Sequence, residues 1–168
     1  MKILVVFYSR TGHTRQVATD LATALGADLE ELREEQDRSG VLGYLKGGRD
    51  ACFGHEAVLL PTSRDPADYD LVVAGTPVWA FTACPAISTW LKRHGKAIRQ
   101  AAFFCTQGGS GNQRTFDNMR ELSGHVPVAT LTLIDRDIRK GLAGGDLSRF
   151  ANAIAGHGRA AVPENEPK

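Results

Sequence analysis

Four short apolar runs and one weaker, mixed one, each parted from the next by a stretch patterned for something else, limit this chain of 168 residues more than any other feature. Ile3 to Tyr8, Leu71 to Gly75, Ala101 to Thr106 and Val128 to Ile134 are dominated by apolar side chains, and Asp28 to Leu32 adds a shorter run. The apolar runs read as strands covered on both faces, and Asp28 to Leu32 as a candidate second strand. Between them, Val17, Leu21, Ala24 and Leu25 recur at helical spacing over Arg15 to Leu25, with Gly26 placed as a C-terminal cap. Pro85 and Gly95 bracket a second helix running to about His94, a third spans about Gln113 to Leu122, and Leu147, Phe150, Ala151 and Ile154 mark a last one. Strands alternating with helices predict an α/β fold: a doubly wound, five-stranded parallel sheet of order 2-1-3-4-5 with helices on both faces.

No repeat and no linker interrupts this alternation, so residues 1 to 158 are expected to form one domain, followed by a polar tail over 159 to 168. The least regular part is the excursion from 33 to 69, where one short helix is expected, either as a lid or as a packed cover over the sheet. A hydrophobic content of 42% and a formal net charge of +1 describe a globular chain with no electrostatic bias toward nucleic acid. The apolar run after Lys2 is shorter than a signal-peptide core and no stretch is long enough to cross a bilayer, so a cytoplasmic protein without membrane insertion is expected. Cys52, Cys84 and Cys105 form no C-x-x-C pair, and an odd number suggests neither a disulfide framework nor a zinc site. Cys84 and Cys105 read as packed, reduced thiols, and Trp90 and Phe116 as core.

The chemistry concentrates in three loops. Sheets of this kind bind ligands outside the carboxyl ends of their strands, where the winding reverses. Order 2-1-3-4-5 brings together there residues 9 to 14, 76 to 83 and 107 to 113. The first loop, Ser9, Arg10, Thr11, Gly12, His13 and Thr14, leads from a strand into a helix N-terminus, which favours an anion. Its three hydroxyls can donate to phosphate oxygens, Gly12 permits close backbone approach, and the His13 imidazole can donate to phosphate or sense its charge. Arg10 can pair with phosphate or project into solvent. The alternative is a plain cluster of N-capping residues. A nucleotide-triphosphate loop is excluded by spelling, since no Gly-Lys is followed by Ser or Thr, and the dinucleotide fingerprint begun by Gly109 and Gly111 has Arg114 in place of its third glycine. The second loop, Thr76, Pro77, Val78 and Trp79, is expected to expose the Trp79 ring. The third, Gln107, Gly108 and Gly109, lets the backbone approach a flat polar edge. Phosphate cradle, stacking surface and backbone donors together describe flavin mononucleotide (FMN).

The motifs carry a resemblance. Ser9-x-Thr11-Gly12-His13-Thr14 resembles the phosphate loop of the flavodoxin family, [ST]-x-[ST]-G-[NH]-T, and Asp70 to Trp79 with Pro85 beyond is similar to that family's second flavin loop. The resemblance extends over residues 1 to about 158. It implies a flavodoxin-like fold that binds FMN and acts in electron transfer with a redox partner protein. It further implies that Ser9 to Thr14 hold the phosphate, that Thr76 to Trp79 flank the ring, and that Thr106 to Gly109 meet its pyrimidine edge. Two departures qualify the kind of redox protein. Electron-carrier flavodoxins are typically strongly acidic, whereas this chain is near neutral, and residues 107 to 113 lack the tyrosine that such carriers tend to place over the outer ring face. An open ring face suits a flavodoxin-like NAD(P)H:quinone or flavin reductase, which stands as the alternative. An interaction module that kept the fold without the cofactor is a third reading. A response-regulator receiver would need acidic residues where Phe7, Tyr8 and Ser9 stand, and no cysteine has an arginine six positions on, as a tyrosine phosphatase requires. Ser110, Asp135 and His157 occur in hydrolase order, but Asn112 replaces the last elbow glycine.

Overall fold

The computed structural model describes residues 1–35 and 56–160. In chain order they form β1 (Ile3–Phe7), α1 (His13–Leu25), β2 (Asp28–Glu31), β3 (Leu71–Trp79), β4 (Thr82–Ala83), α2 (Pro85–His94), β5 (Ala101–Gln107), α3 (Asn112–Ser123), β6 (Thr130–Ile134), α4 (Asp135–Arg139) and α5 (Gly144–Ala160). Five strands run parallel in the order β2-β1-β3-β5-β6, and β4 pairs antiparallel with the end of β3. Setting that hairpin aside, this is the expected order 2-1-3-4-5.

Alternation along each strand divides the apolar residues between two cores, because successive side chains leave a strand on opposite faces. Ile3, Val5, Phe7, Leu71, Val73, Ala102 and Phe104 pack under α1, α4 and α5 through Val17, Leu21, Ile138, Phe150 and Ile154. Leu4, Val6, Val72, Ala74, Phe103 and Cys105 face α2 and α3 through Ile87, Trp90, Leu91, Phe116 and Met119. Since α1 and α2 lie on opposite faces, the chain winds outward in two directions from β1 and β3. That divergence opens a crevice at their carboxyl ends. The centre of the sheet is tight: in register, Gly75 of β3 faces Phe104 of β5, and a Cβ on Gly75 would lie 2.0 Å from the ring's Cζ.

The course of the backbone differs from expectation in three places. β3 does not stop at Gly75 but continues to Trp79, because Thr76 and Pro77 go on pairing with Cys105 and Thr106 and the last two residues pair with β4. Pro77 lies inside this strand, near its end. A proline is tolerated where the ladder does not need its missing N–H. Second, α4 starts directly at the end of β6 and is five residues long, too short for helical periodicity to register. Third, the two described ends of the 33–69 excursion run antiparallel, with the Glu35 N–H donating to the Val58 carbonyl (3.0 Å) and the Leu60 N–H to that of Arg33 (2.8 Å). The short helix expected in the excursion falls largely on residues 36–55, outside the described residues, as does Cys52.

Cys84 and Cys105 are buried, and burial pushes both thiols up to about 12, so neither is a thiolate near neutral pH. Trp90 and Phe116 are core, as expected. Among the described residues no helix is long and apolar enough to cross a membrane.

Candidate functional site

The crevice is bounded by the segments that follow β1, β3, β5 and β6. After β1, Gly12 takes a left-handed backbone (φ 97°) and starts α1, and no side chain caps that helix. The plain capping alternative therefore does not hold. Ser9 instead turns the loop on itself, its Oγ accepting the Gly12 N–H at 3.1 Å, which leaves its own hydroxyl proton to donate outward. Thr11 is exposed, and its hydroxyl lies 3.4 Å from the His13 ring. Arg10 is half-buried in the same loop. These groups and the first-turn N–H groups of α1 gather donors at one end of the helix, an arrangement suited to an anion.

Thr14 stands apart from its neighbours in the loop. Its hydroxyl was expected among the phosphate donors, but it is buried and sits 2.9 Å from the buried hydroxyl of Thr106 on β5. The reason is helical geometry: residue 14 begins the face of α1 that continues through Val17, Ala18 and Leu21 into the core. The pair fastens the first loop to the third. Thr14→Val alone should cost about 1–3 kcal/mol by leaving the Thr106 hydroxyl unpaired, whereas Thr14→Val with Thr106→Val should lose less than the two singles added. Urea unfolding of the three variants measures this, and strict additivity would mean that the hydroxyls act separately.

The second loop also departs from expectation. Trp79 does not expose its ring: it is 6% exposed and packs edge-on against Tyr8, with centroids 5.7 Å apart. Its indole lies in the core on the α2 side of the sheet with Tyr8, Val72 and Ala74, at the end of β3 that pairs with β4 beyond the last β5 partner. The aromatic presented at this loop is Phe81, 54% exposed. Ala80 and Phe81 both have positive φ (49° and 63°), a conformation that non-glycine residues adopt reluctantly and that concentrates at functional sites. The hairpin is braced on every side. Thr76 Oγ1 donates to the Pro77 carbonyl (2.9 Å) and accepts the Cys84 N–H (3.0 Å), while Thr82 donates to Asn118 Oδ1 (2.7 Å). Val78 and Phe81 press on Gly111, where a Cβ would lie 2.9 Å from Val78 Cγ1 and 3.0 Å from Phe81 Cδ1. Phe81 was not singled out in sequence because strain at a non-glycine residue has no compositional mark.

In the third loop Gly108 and Gly109 are exposed, as a close backbone approach requires. Gln107 is 6% exposed and donates through Nε2 to the Gly109 carbonyl (3.1 Å), while its Oε1 is buried without a hydrogen-bond partner. A buried acceptor left unpaired is costly, and a ligand N–H at this position would satisfy it. The fourth segment, at the β6–α4 junction, adds Asp135, whose Oδ1 lies 3.6 Å from His13 Nδ1. Its place directly after the fifth parallel strand was a signal available in sequence. The hydrolase constellation is not supported, since the histidine beside Asp135 is His13, at the first loop. A separate cavity of about 490 Å³ at the β2 edge, between Glu30, Arg33, Leu60 and Ser63, shares no residue with these loops.

Residues 53–143, more than half of the chain, match the model of a family described as Flavodoxin; the match begins after the first loop. No curated protein matches the sequence. Among solved structures, a flavoprotein from Lactobacillus acidophilus NCFM in complex with FMN is similar with a TM-score of 0.67 and 22% identity, over 83% of this chain and 97% of that one. A Streptococcus pneumonia TIGR4 flavodoxin has a TM-score of 0.58 at 15% identity, over 94% of this chain and 99% of that one. An NADH:FMN oxidoreductase in its apo form has a TM-score of 0.57 at 13% identity, over 99% of this chain and 92% of that one. At these identities the structures share the fold.

Proposed function

Because the chain belongs to the flavodoxin family, we propose that it binds FMN and works as an electron-transfer protein. The observation that carries this reading is that the sheet order brings to one end the N-terminus of α1 behind Gly12, the exposed Phe81 ring, and the exposed Gly108–Gly109 turn beside the buried, unpaired Gln107 Oε1. The donor set fits the cofactor from end to end. Ser9, Thr11 and the first-turn N–H groups of α1 hold the phosphate, with Arg10 and His13 beside them. Phe81 and the edge formed by Thr76, Pro77 and Val78 flank the isoalloxazine ring, and Trp79 supports that edge from within the core. Gln107, with the Gly108 and Gly109 backbone, meets the pyrimidine edge, whose imide N–H suits the Oε1 acceptor. Thr106 and Thr14 hold this loop to the phosphate loop. Bound FMN supplies reversible one- and two-electron redox chemistry.

A second reading, an NAD(P)H-dependent quinone or flavin reductase, is favoured by one observation: residues 107–113 bring no aromatic over the outer ring face. Hydride transfer needs such an open face for the nicotinamide to stack. The carrier reading expects the purified protein to be yellow, to release FMN on denaturation, and to accept electrons from a partner reductase while NADH and NADPH leave its visible absorbance unchanged under anaerobic mixing. Bleaching by a pyridine nucleotide within seconds, with reoxidation by a quinone, would establish the reductase instead. A protein that takes up no flavin would overturn both and leave the interaction module.

A further inference from the structure

Resting on the FMN reading, we propose that phosphate recognition here is proton-coupled: His13 takes up a proton when the phosphate enters the first loop, and Asp135 is the positioning residue that holds its ring for that role. A carboxylate at the mouth of an anion site is an anomaly. Asp135 Oδ1 lies 3.6 Å from Nδ1 of a residue in the loop that cradles the phosphate, and both side chains are partly sheltered from water. With His13 neutral, phosphate and carboxylate would face each other across the same small crevice, and like charges in a sheltered site repel strongly. With His13 protonated, an imidazolium stands between two anions and is attracted to both. The Thr11 hydroxyl, 3.4 Å from the same Nδ1, completes the seat of the ring.

The surrounding charges leave this role to His13. On the elements packed against α1, Arg15 is paired with Glu31 of β2 (3.0 Å), Arg136 with Asp137 of α4 (3.2 Å), and Arg149 with Asp146 of α5. Arg10, in the loop itself, and Arg139 and Lys140, at the end of α4, carry the opposite sign to Asp135. They favour the anion but do not titrate near neutral pH. Imidazole is the side chain that ordinarily changes charge between pH 5 and 8. The sign follows: affinity for the phosphate is highest where the imidazolium is available and declines as pH rises. The phosphate's own second ionisation, near pH 6, works in the opposite direction.

The test measures FMN and riboflavin dissociation constants for the apoprotein between pH 6 and 8.5, by flavin fluorescence. FMN affinity should fall at least fivefold across that range while riboflavin affinity stays within twofold. Calorimetry at pH 7.5 in two buffers of different ionisation enthalpy should show proton uptake with FMN and none with riboflavin. In His13→Asn both the decline and the uptake should vanish. Asp135→Asn should move the midpoint of the FMN profile to lower pH, a displacement that a merely structural contact would not cause. FMN affinity independent of pH in the parent, or an unchanged decline in His13→Asn, would overturn the proposal while leaving FMN binding intact. Failure to bind FMN at any pH would instead overturn the reading on which it rests.

Discussion

Gly75→Ala is expected to destabilise the protein by about 3 kcal/mol, the upper end of what overpacking typically costs and a large share of the roughly 5–15 kcal/mol typical of a folded domain. A methyl group at this position would lie 2.0, 2.2 and 2.6 Å from three atoms of the Phe104 ring, well inside contact distance. Neither partner has room to retreat. Gly75 is paired on one side with Phe7 of β1 and on the other with Phe104 of β5, in the middle of a sheet covered by α1 and α5 on that face. The backbone conformation is not the obstacle, since an extended strand residue is ordinary for alanine; the demand comes from the ring laid across the glycine. Denaturant unfolding of Gly75→Ala, Phe104→Leu and their combination checks this. The combination should be more stable than the sum of the single losses implies by about 1 kcal/mol or more, because the smaller side chain makes room for the methyl. Additive losses would show that the two sites are not in steric conflict.

The second large effect is expected on affinity. Ser9→Ala combined with Thr11→Ala should weaken FMN by about 3 kcal/mol or more, over a hundredfold, taking the lower bound of about 1.5 kcal/mol for each hydrogen bond to a charged group. Riboflavin, which lacks the phosphate, should bind within a few-fold of the parent. Fluorescence titration of both flavins decides the matter, and equal losses for the two would remove the phosphate from this loop. The two hydroxyls differ in how they are held. Ser9 is oriented by the Gly12 N–H, whereas Thr11 is exposed beside His13, so Ser9→Ala alone should cost more than Thr11→Ala alone.

What the sequence by itself determined was whatever depends on local periodicity and on residues whose chemistry is their own. Buried strands announce themselves as apolar runs and amphipathic helices as a 3.6-residue repeat, and the alternation of the two leaves few topologies open. The sheet order and the three loops at its carboxyl end were therefore legible, as was the Ser9–Thr14 loop with its one glycine of positive φ. Tertiary structure decided how side chains within those loops divide between surface and support. Thr14, Thr76 and Thr106 carry the same hydroxyl as Thr11, yet burial commits the first three to one another or to the hairpin, and only Thr11 is exposed. Trp79 and Phe81 lie two residues apart and are equally aromatic. Packing against Tyr8 and the α2-side core takes one inward at the end of an unexpectedly long β3, and two left-handed residues at the hairpin tip present the other. His13 and Asp135 are 122 positions apart in sequence and meet because β6 ends beside the start of α1. Pairing across that distance is a property of packed elements, and no local pattern encodes it.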